Sequence, residues 1–153
     1  METPDSYLTR AQFVQILANL EGIDTSKSNV ASGYKDVAKG QWYTDAINWA
    51  SANDIVKGYG NGKFGPEDAI TREQIAAIFN RFADYKGWEL DTELPKDTEY
   101  KCSDWAKENV IWAEAAGLFN NLGTDVSDMT EDATRAELAA FLGRFYVKFV
   151  VAK

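Results

Sequence analysis

Phe64–Phe79, FGPEDAITREQIAAIF, runs from a Gly/Pro turn through Thr-Arg-Glu-Gln into an apolar-periodic segment. Its later part occurs three times, as Leu8-Thr9-Arg10-Ala11-Gln12, Ile70-Thr71-Arg72-Glu73-Gln74 and Ala133-Thr134-Arg135-Ala136-Glu137. Thr9 and Thr71 stand 62 residues apart, and Thr71 and Thr134 stand 63 apart. Each Thr-x-x-Gln/Glu is a capping box, in which the Thr side chain accepts from the N3 amide and the N3 side chain reaches back to the Thr amide. Leu8/Phe13 and Ile70/Ile75 add hydrophobic staples. The pattern predicts three helices starting at Thr9, Thr71 and Thr134, with Gly22 ending the first. The third runs on through Phe149.

Each helix carries an apolar stripe at helical spacing. Phe13, Ile16, Leu17 and Leu20 correspond to Ile75, Ile78, Phe79 and Phe82, and to Leu138, Phe141, Leu142 and Phe145. Between the capped helices, Trp42, Ala46, Ile47, Trp49 and Ala50 predict a shorter helix ending near Asn53. Trp105, Val110, Trp112 and Ala113 repeat Trp42, Ile47, Trp49 and Ala50 at a displacement of 63. Trp49 and Trp112 are assigned to the core. Asp24–Gly33 and Asp84–Glu99 read as connections. The repeats are 1–25, incomplete at its start, then 26–88 and 89–153. One unit cannot bury its stripe alone, so copies must pack together. Burying four large apolar side chains per stripe, at roughly 1.5–3 kcal/mol each, is a substantial driving term. The expected fold is mainly α: a pseudo-threefold arrangement with a central three-helix bundle, short outer helices and Gly-rich loops.

The 153 residues are 45% hydrophobic and 13% aromatic, which argues against disorder. A net charge of −8 disfavours nucleic acid and anionic membranes, so an anionic ligand needs locally placed Arg or Lys. There is no His and one Cys, Cys102, which leaves no cysteine-based zinc site and no internal disulfide. No cofactor or metal is expected. No apolar run approaches a membrane span. No signal peptide precedes Pro4, and Met1 stands almost directly before a motif, the pattern of an excised domain.

Tyr34-Lys35-Asp36-Val37, Trp42, Gly58-Tyr59-Gly60-Asn61-Gly62-Lys63-Phe64-Gly65-Pro66 and Ile70-Thr71-Arg72-Glu73-Gln74 closely resemble the S-layer homology family, position by position. The resemblance implies a three-repeat module that anchors bacterial surface proteins to cell-wall polysaccharide. It implies an extracellular location and a sugar ligand, often pyruvylated and anionic, held in grooves between repeats. Carried over residue by residue, it nominates Arg10, Arg72 and Arg135, Asp36, Trp42 and Trp105, Gly58 and Tyr59. Arg72 leads, because it sits in the complete repeat. The third copy departs: Asn121–Met129 keeps only Gly123 of the loop, opposite Gly60. No Asp aligns with Asp36, with Asp97 and Asp104 only nearby.

Beside this stand plainer readings. A cation at N1 opposes the helix dipole by roughly 0.3–1 kcal/mol, so the recurring Arg needs an offsetting partner. That partner is either an anion held by the helix N-terminus and the guanidinium together, or a carboxylate of a neighbouring repeat such as Asp36. Trp42 and Trp105 suit packing or sugar stacking. Asp125, Asp128, Glu131 and Asp132 read as a solvated acidic turn rather than a calcium loop. No carboxylate pair stands in a glycosidase constellation, so the chain is expected not to be an enzyme. A protein–protein or self-assembly role is the alternative, and the incomplete first repeat leaves self-association open.

Overall fold

The computed structural model describes residues 6–26, 30–120 and 127–151. Among them are five α-helices and only isolated β-bridges. They are α1 (Arg10–Glu21), α2 (Thr44–Ala52), α3 (Arg72–Lys86), α4 (Lys107–Ala115) and α5 (Arg135–Tyr146). A 3-10 turn, Asp104–Ala106, leads into α4, and a π-helical turn, Val147–Val151, continues α5. The chain is mainly α, as the periodicity predicts. It divides into two compact units, Leu8–Ala69 and Ile70–Lys153 together with Met1–Tyr7.

All three expected helix starts carry complete capping boxes, on Thr9, Thr71 and Thr134. Further amides of the first turn find partners too. In α1, Arg10 N–H donates to the Asp68 carbonyl (2.9 Å) and Ala11 N–H to that of Pro66 (3.1 Å). In α3, Arg72 N–H donates to Glu131 O (3.0 Å) and Glu73 N–H to Met129 O (2.8 Å). In α5, Arg135 N–H donates to Ser6 O (2.9 Å). The expectation of an anion held on free helix N–H groups is therefore corrected for α1 and α3. The loop one repeat later already supplies the acceptors these amides need.

In the unit of residues 8–69, α1 packs on α2. Ala11, Phe13, Val14, Leu17 and Ala18 are buried on α1, and Ala46, Ile47 and Ala50 on α2. The buried face of α1 is turned from the expected stripe: Leu20 is exposed, and Ala11, Val14 and Ala18 are buried in its stead. Small residues at 3–4 spacing let two helices approach closely, and that contact outweighs the larger Leu20. Trp49 is only half-buried, unlike its counterpart Trp112.

In the unit of residues 70–153, α3 packs on α4. α1 and α3 thus each lie on the Trp helix of the following repeat, so the packing units are offset from the sequence repeats. Phe79 and Phe145 stack at 4.6 Å. Phe149, nearly fully buried, lies parallel to both Trp88 (5.9 Å) and Trp112 (5.7 Å). Trp88 falls in the segment read as a charged connection. It is placed by the left-handed cap at Gly87, where Trp88 N–H donates to Ala83 O at 2.8 Å.

Candidate functional site

The loop that follows α2 in residues 8–69 gathers four of the eight nominated residues: Arg10, Asp36, Gly58 and Tyr59. Asp36 clamps the loop, accepting the Phe64 and Gly65 amides at 2.8 Å each. Burial pushes its carboxyl pKa up, but the two amides outweigh this and hold it below its ordinary value. Tyr59 donates its hydroxyl to Asp68 Oδ2 at 2.7 Å. Burial, then that bond, pushes the phenol up to about 12. Gly65 has φ +74, and a Cβ there would come within 2.5 Å of the Tyr59 hydroxyl and Asp68 Oδ2. At Gly58 a Cβ would meet Lys63 O and the Tyr34 ring, both at 2.6 Å. The loop is consequently built by close approaches among its own residues.

Arg10 lies beneath this loop and is buried. Its Nε donates to Phe64 O (2.9 Å) and its Nη2 to Lys57 O (3.2 Å). The guanidinium carbon stands 4.7 Å from the Tyr59 ring centroid and 4.6 Å from that of Phe64. A cation held between two aromatic faces offsets the N1 cost. Above it opens a cleft of about 370 Å³ lined by Asp36, Tyr43, Tyr59, Lys63, Pro66 and Asp68, among others. Trp42 sits edge-on to Tyr43 at 5.0 Å and is 54% exposed. Tyr43 and Lys63 were not nominated from the sequence. Lys63 stands inside the Gly-Tyr-x-x-Gly-x-Phe loop at a position where the pattern accepts any residue.

In residues 70–153, Arg72 is placed differently. Its Nε and Nη2 donate to Glu137 Oε1 (3.1 Å) and Oε2 (2.8 Å). Its Nη1 donates to Asp128 O (2.9 Å) and Glu131 Oε1 (3.2 Å). This is the carboxylate pairing weighed from the sequence, with Glu137 and Glu131 as partners. Burial lowers the Arg72 pKa, and the two glutamates more than reverse that and hold it above its ordinary value. A cleft of about 340 Å³ lies here, lined by Tyr7, Arg72, Thr130, Glu131, Asp132 and Thr134. The capping box alone accounts for Glu137 in the sequence, which hides its second task; its Oε1 serves both Thr134 N–H (3.1 Å) and Arg72.

Arg135 is half-buried at N1 of α5. Trp105 lies in the 3-10 turn before α4 and is 56% exposed. Both leading tryptophans are thus open to solvent. The clamp made by Asp36 is replaced in the third copy by backbone: Lys101 N–H donates to Ser127 O (2.9 Å) and Met129 N–H to Lys101 O (2.7 Å). Asp97 pairs with Lys107 at 2.9 Å instead. Of the acidic string, Asp125 lies outside the described residues, as does Asn121–Val126 of the departing loop. Asp128 Oδ1 is taken up by the Thr130 hydroxyl (2.6 Å) and amide (3.0 Å). Among the described residues, no cluster of His, Cys, Asp or Glu could hold a metal ion, and no helix is long and apolar enough to cross a membrane.

Residues 33–76 match the S-layer homology domain. Amylopullulanase of Thermoanaerobacterium thermosulfurigenes is 33% identical over 144 residues, covering 91% of this chain and 8% of that protein. Cell surface glycoprotein 1 of Acetivibrio thermocellus is 37% identical over 150 residues, 92% of this chain and 6% of its own length. The cellulosome-anchoring protein of the same organism is 27% identical over 148 residues, 92% of this chain and 32% of its own length. The chain therefore spans less than a third of each of these relatives. With the domain match lying on the Asp36 clamp, the Gly58–Pro66 loop and the start of α3, the chain belongs to the S-layer homology family.

Proposed function

We propose that this chain anchors a longer bacterial surface protein to the cell wall by binding wall polysaccharide non-covalently, with acidic sugars as the preferred ligand. The observation that carries the reading is the cleft at the Arg10 loop, where Tyr59 and Lys63 face solvent and the buried Tyr43 lines the wall with the exposed Trp42 edge-on to it. Aromatic faces suit the apolar faces of sugar rings, and Lys63 supplies a cation to a lining that also holds Asp36, Glu67 and Asp68. Arg10 acts from beneath, holding the Phe64 and Lys57 carbonyls and with them the shape of the loop. The relatives named as a cellulosome-anchoring protein and a cell surface glycoprotein support a role at the cell surface. A segment shared between those proteins and an amylopullulanase supports a task separate from any one catalysis.

The test is sedimentation of the chain with purified cell-wall polysaccharide. Trp42→Ala and Lys63→Gln, both at exposed positions, are expected to weaken binding about tenfold each with unchanged thermal melting. Reducing the polymer's carboxylates to alcohols removes the Lys63-dependent part. Native-like binding by both variants sinks the assignment of this cleft, and no sedimentation of the native chain sinks the anchoring role.

A further inference from the structure

The second cleft holds a buried arginine with two carboxylates on it, and the two are not alike. Glu137 is fixed: its side chain is 15% exposed, it grips Arg72 with both oxygens, and it also closes the capping box of α5. Glu131 is 59% exposed and reaches Arg72 Nη1 with one oxygen at 3.2 Å. The Glu131 backbone is held, its carbonyl accepting Arg72 N–H, beside the Thr71–Asp132 bridge. Only its side chain is at liberty to swing.

We infer that Glu131 is an intramolecular competitor for anions in this cleft, a latch held on Arg72 Nη1 where both residues line the opening. The comparison with residues 8–69 explains why it falls there. The position equivalent to Glu131 is Asp68, and the Tyr59 hydroxyl takes its Oδ2 at 2.7 Å. The residue equivalent to Tyr59 is Leu122, which has no hydroxyl to give. A longer acid without that donor turns to the guanidinium. A ligand carboxylate must displace Glu131 and lie near its charge, whereas removing that charge leaves Arg72 still paired with Glu137. The ligand class, a carboxylate-bearing saccharide, rests on the reading given under Proposed function; the latch itself rests on the geometry around Arg72.

The experiment is titration of the native chain and of Glu131→Gln with methyl glucuronide and with methyl glucoside. Calorimetry gives the affinity, and the Arg72 Nε–H resonance gives the location. Glu131→Gln is expected to raise glucuronide affinity about fivefold, the scale of one partly exposed charge pair, with the Arg72 resonance shifting on binding. Methyl glucoside gains nothing. An unchanged or lower glucuronide affinity, an equal gain for the neutral glycoside, or an unmoved Arg72 resonance overturns the latch. Failure of the native chain to sediment with wall polymer, alongside a gain in Glu131→Gln, sinks the anchoring reading and keeps the latch. Polymer binding without that gain does the reverse.

Discussion

Arg10 and Arg72 hold the same place in the same motif, at N1 of a capped helix, yet they live in opposite surroundings. Arg10 lies between the rings of Tyr59 and Phe64 and donates to two backbone carbonyls. Arg72 is gripped by Glu137 and Glu131. The positions equivalent to Tyr59 and Phe64 in the third copy are Leu122 and Ser127, so neither ring is available there. An N1 cation needs compensation. Where the loop offers aromatic faces, dispersion and the ring quadrupole supply it; where the loop has lost them, carboxylates do. The motif therefore sets where the arginine stands, and the loop that meets it sets what it does.

Removing the two arginines probes this difference most strongly. Arg72→Met strands Glu137 without its cation, and breaking such a pair costs about 3 kcal/mol of stability. Arg10→Met leaves two carbonyls without their donor but lets a thioether sit between two rings, a loss of about 2 kcal/mol. Urea unfolding of each variant reads the costs. Adding Glu137→Gln to Arg72→Met should restore most of the loss. Equal costs for the two arginines, or no restoration, would show that the surroundings do not matter as described.

The loop clamps differ in the same way, and pH separates them. In residues 8–69 a carboxylate, Asp36, holds the loop; in residues 70–153 the Lys101 backbone does so. The folded pKa of Asp36 lies below its ordinary 3.8, so its contribution is fully present above about pH 4. It is lost as the pH falls through that depressed value. Asp36→Asn keeps one acceptor oxygen and turns an amide N–H₂ towards a donor, for a loss of about 1.5 kcal/mol at neutral pH. The gap between native chain and variant should narrow progressively as the pH falls below 4 in melts followed by tryptophan fluorescence. A gap that stays constant as the pH falls from about 5 through the acid unfolding of the chain assigns Asp36 no charge-dependent role.

Much of the fold is legible because its determinants are local. Thr9, Thr71 and Thr134 meet partners three residues away, and the staple residues Leu8 and Ile70 are fully buried. The surroundings of the arginines are not local. Arg10 meets Phe64 and Lys57, 54 and 47 positions on, and Arg72 meets Glu137, 65 positions on. No spacing within one repeat encodes such a meeting. Leu20 and Trp88 fail for a related reason: helical periodicity reports an apolar face, while the neighbour's shape decides how much of it is covered. The cleft was legible through Asp36, Gly58 and Tyr59, which the motif holds, and not through Lys63, which it leaves free.

The smallest expected effect lies where α2 and α4 end. Both stop in the same turn, with Ile55 N–H donating to Ala50 O (2.8 Å) and Leu118 N–H to Ala113 O (3.0 Å). The turn needs a left-handed residue, and one unit supplies Gly117 at φ +83 where the other supplies Asp54 at φ 58. An L-residue bears a steric cost there that Asp reduces and does not abolish, while Gly loses more chain entropy on folding. Asp54→Gly should therefore gain only about 0.5 kcal/mol. Gly117→Asp should lose about 1 kcal/mol, since the new Cβ comes 3.0 Å from Asn120 Nδ2 as well as taking on the left-handed cost. Thermal melts of the pair measure the asymmetry. A loss on Asp54→Gly would mean that the Asp54 carboxylate holds the turn and that the two helix ends are not equivalent.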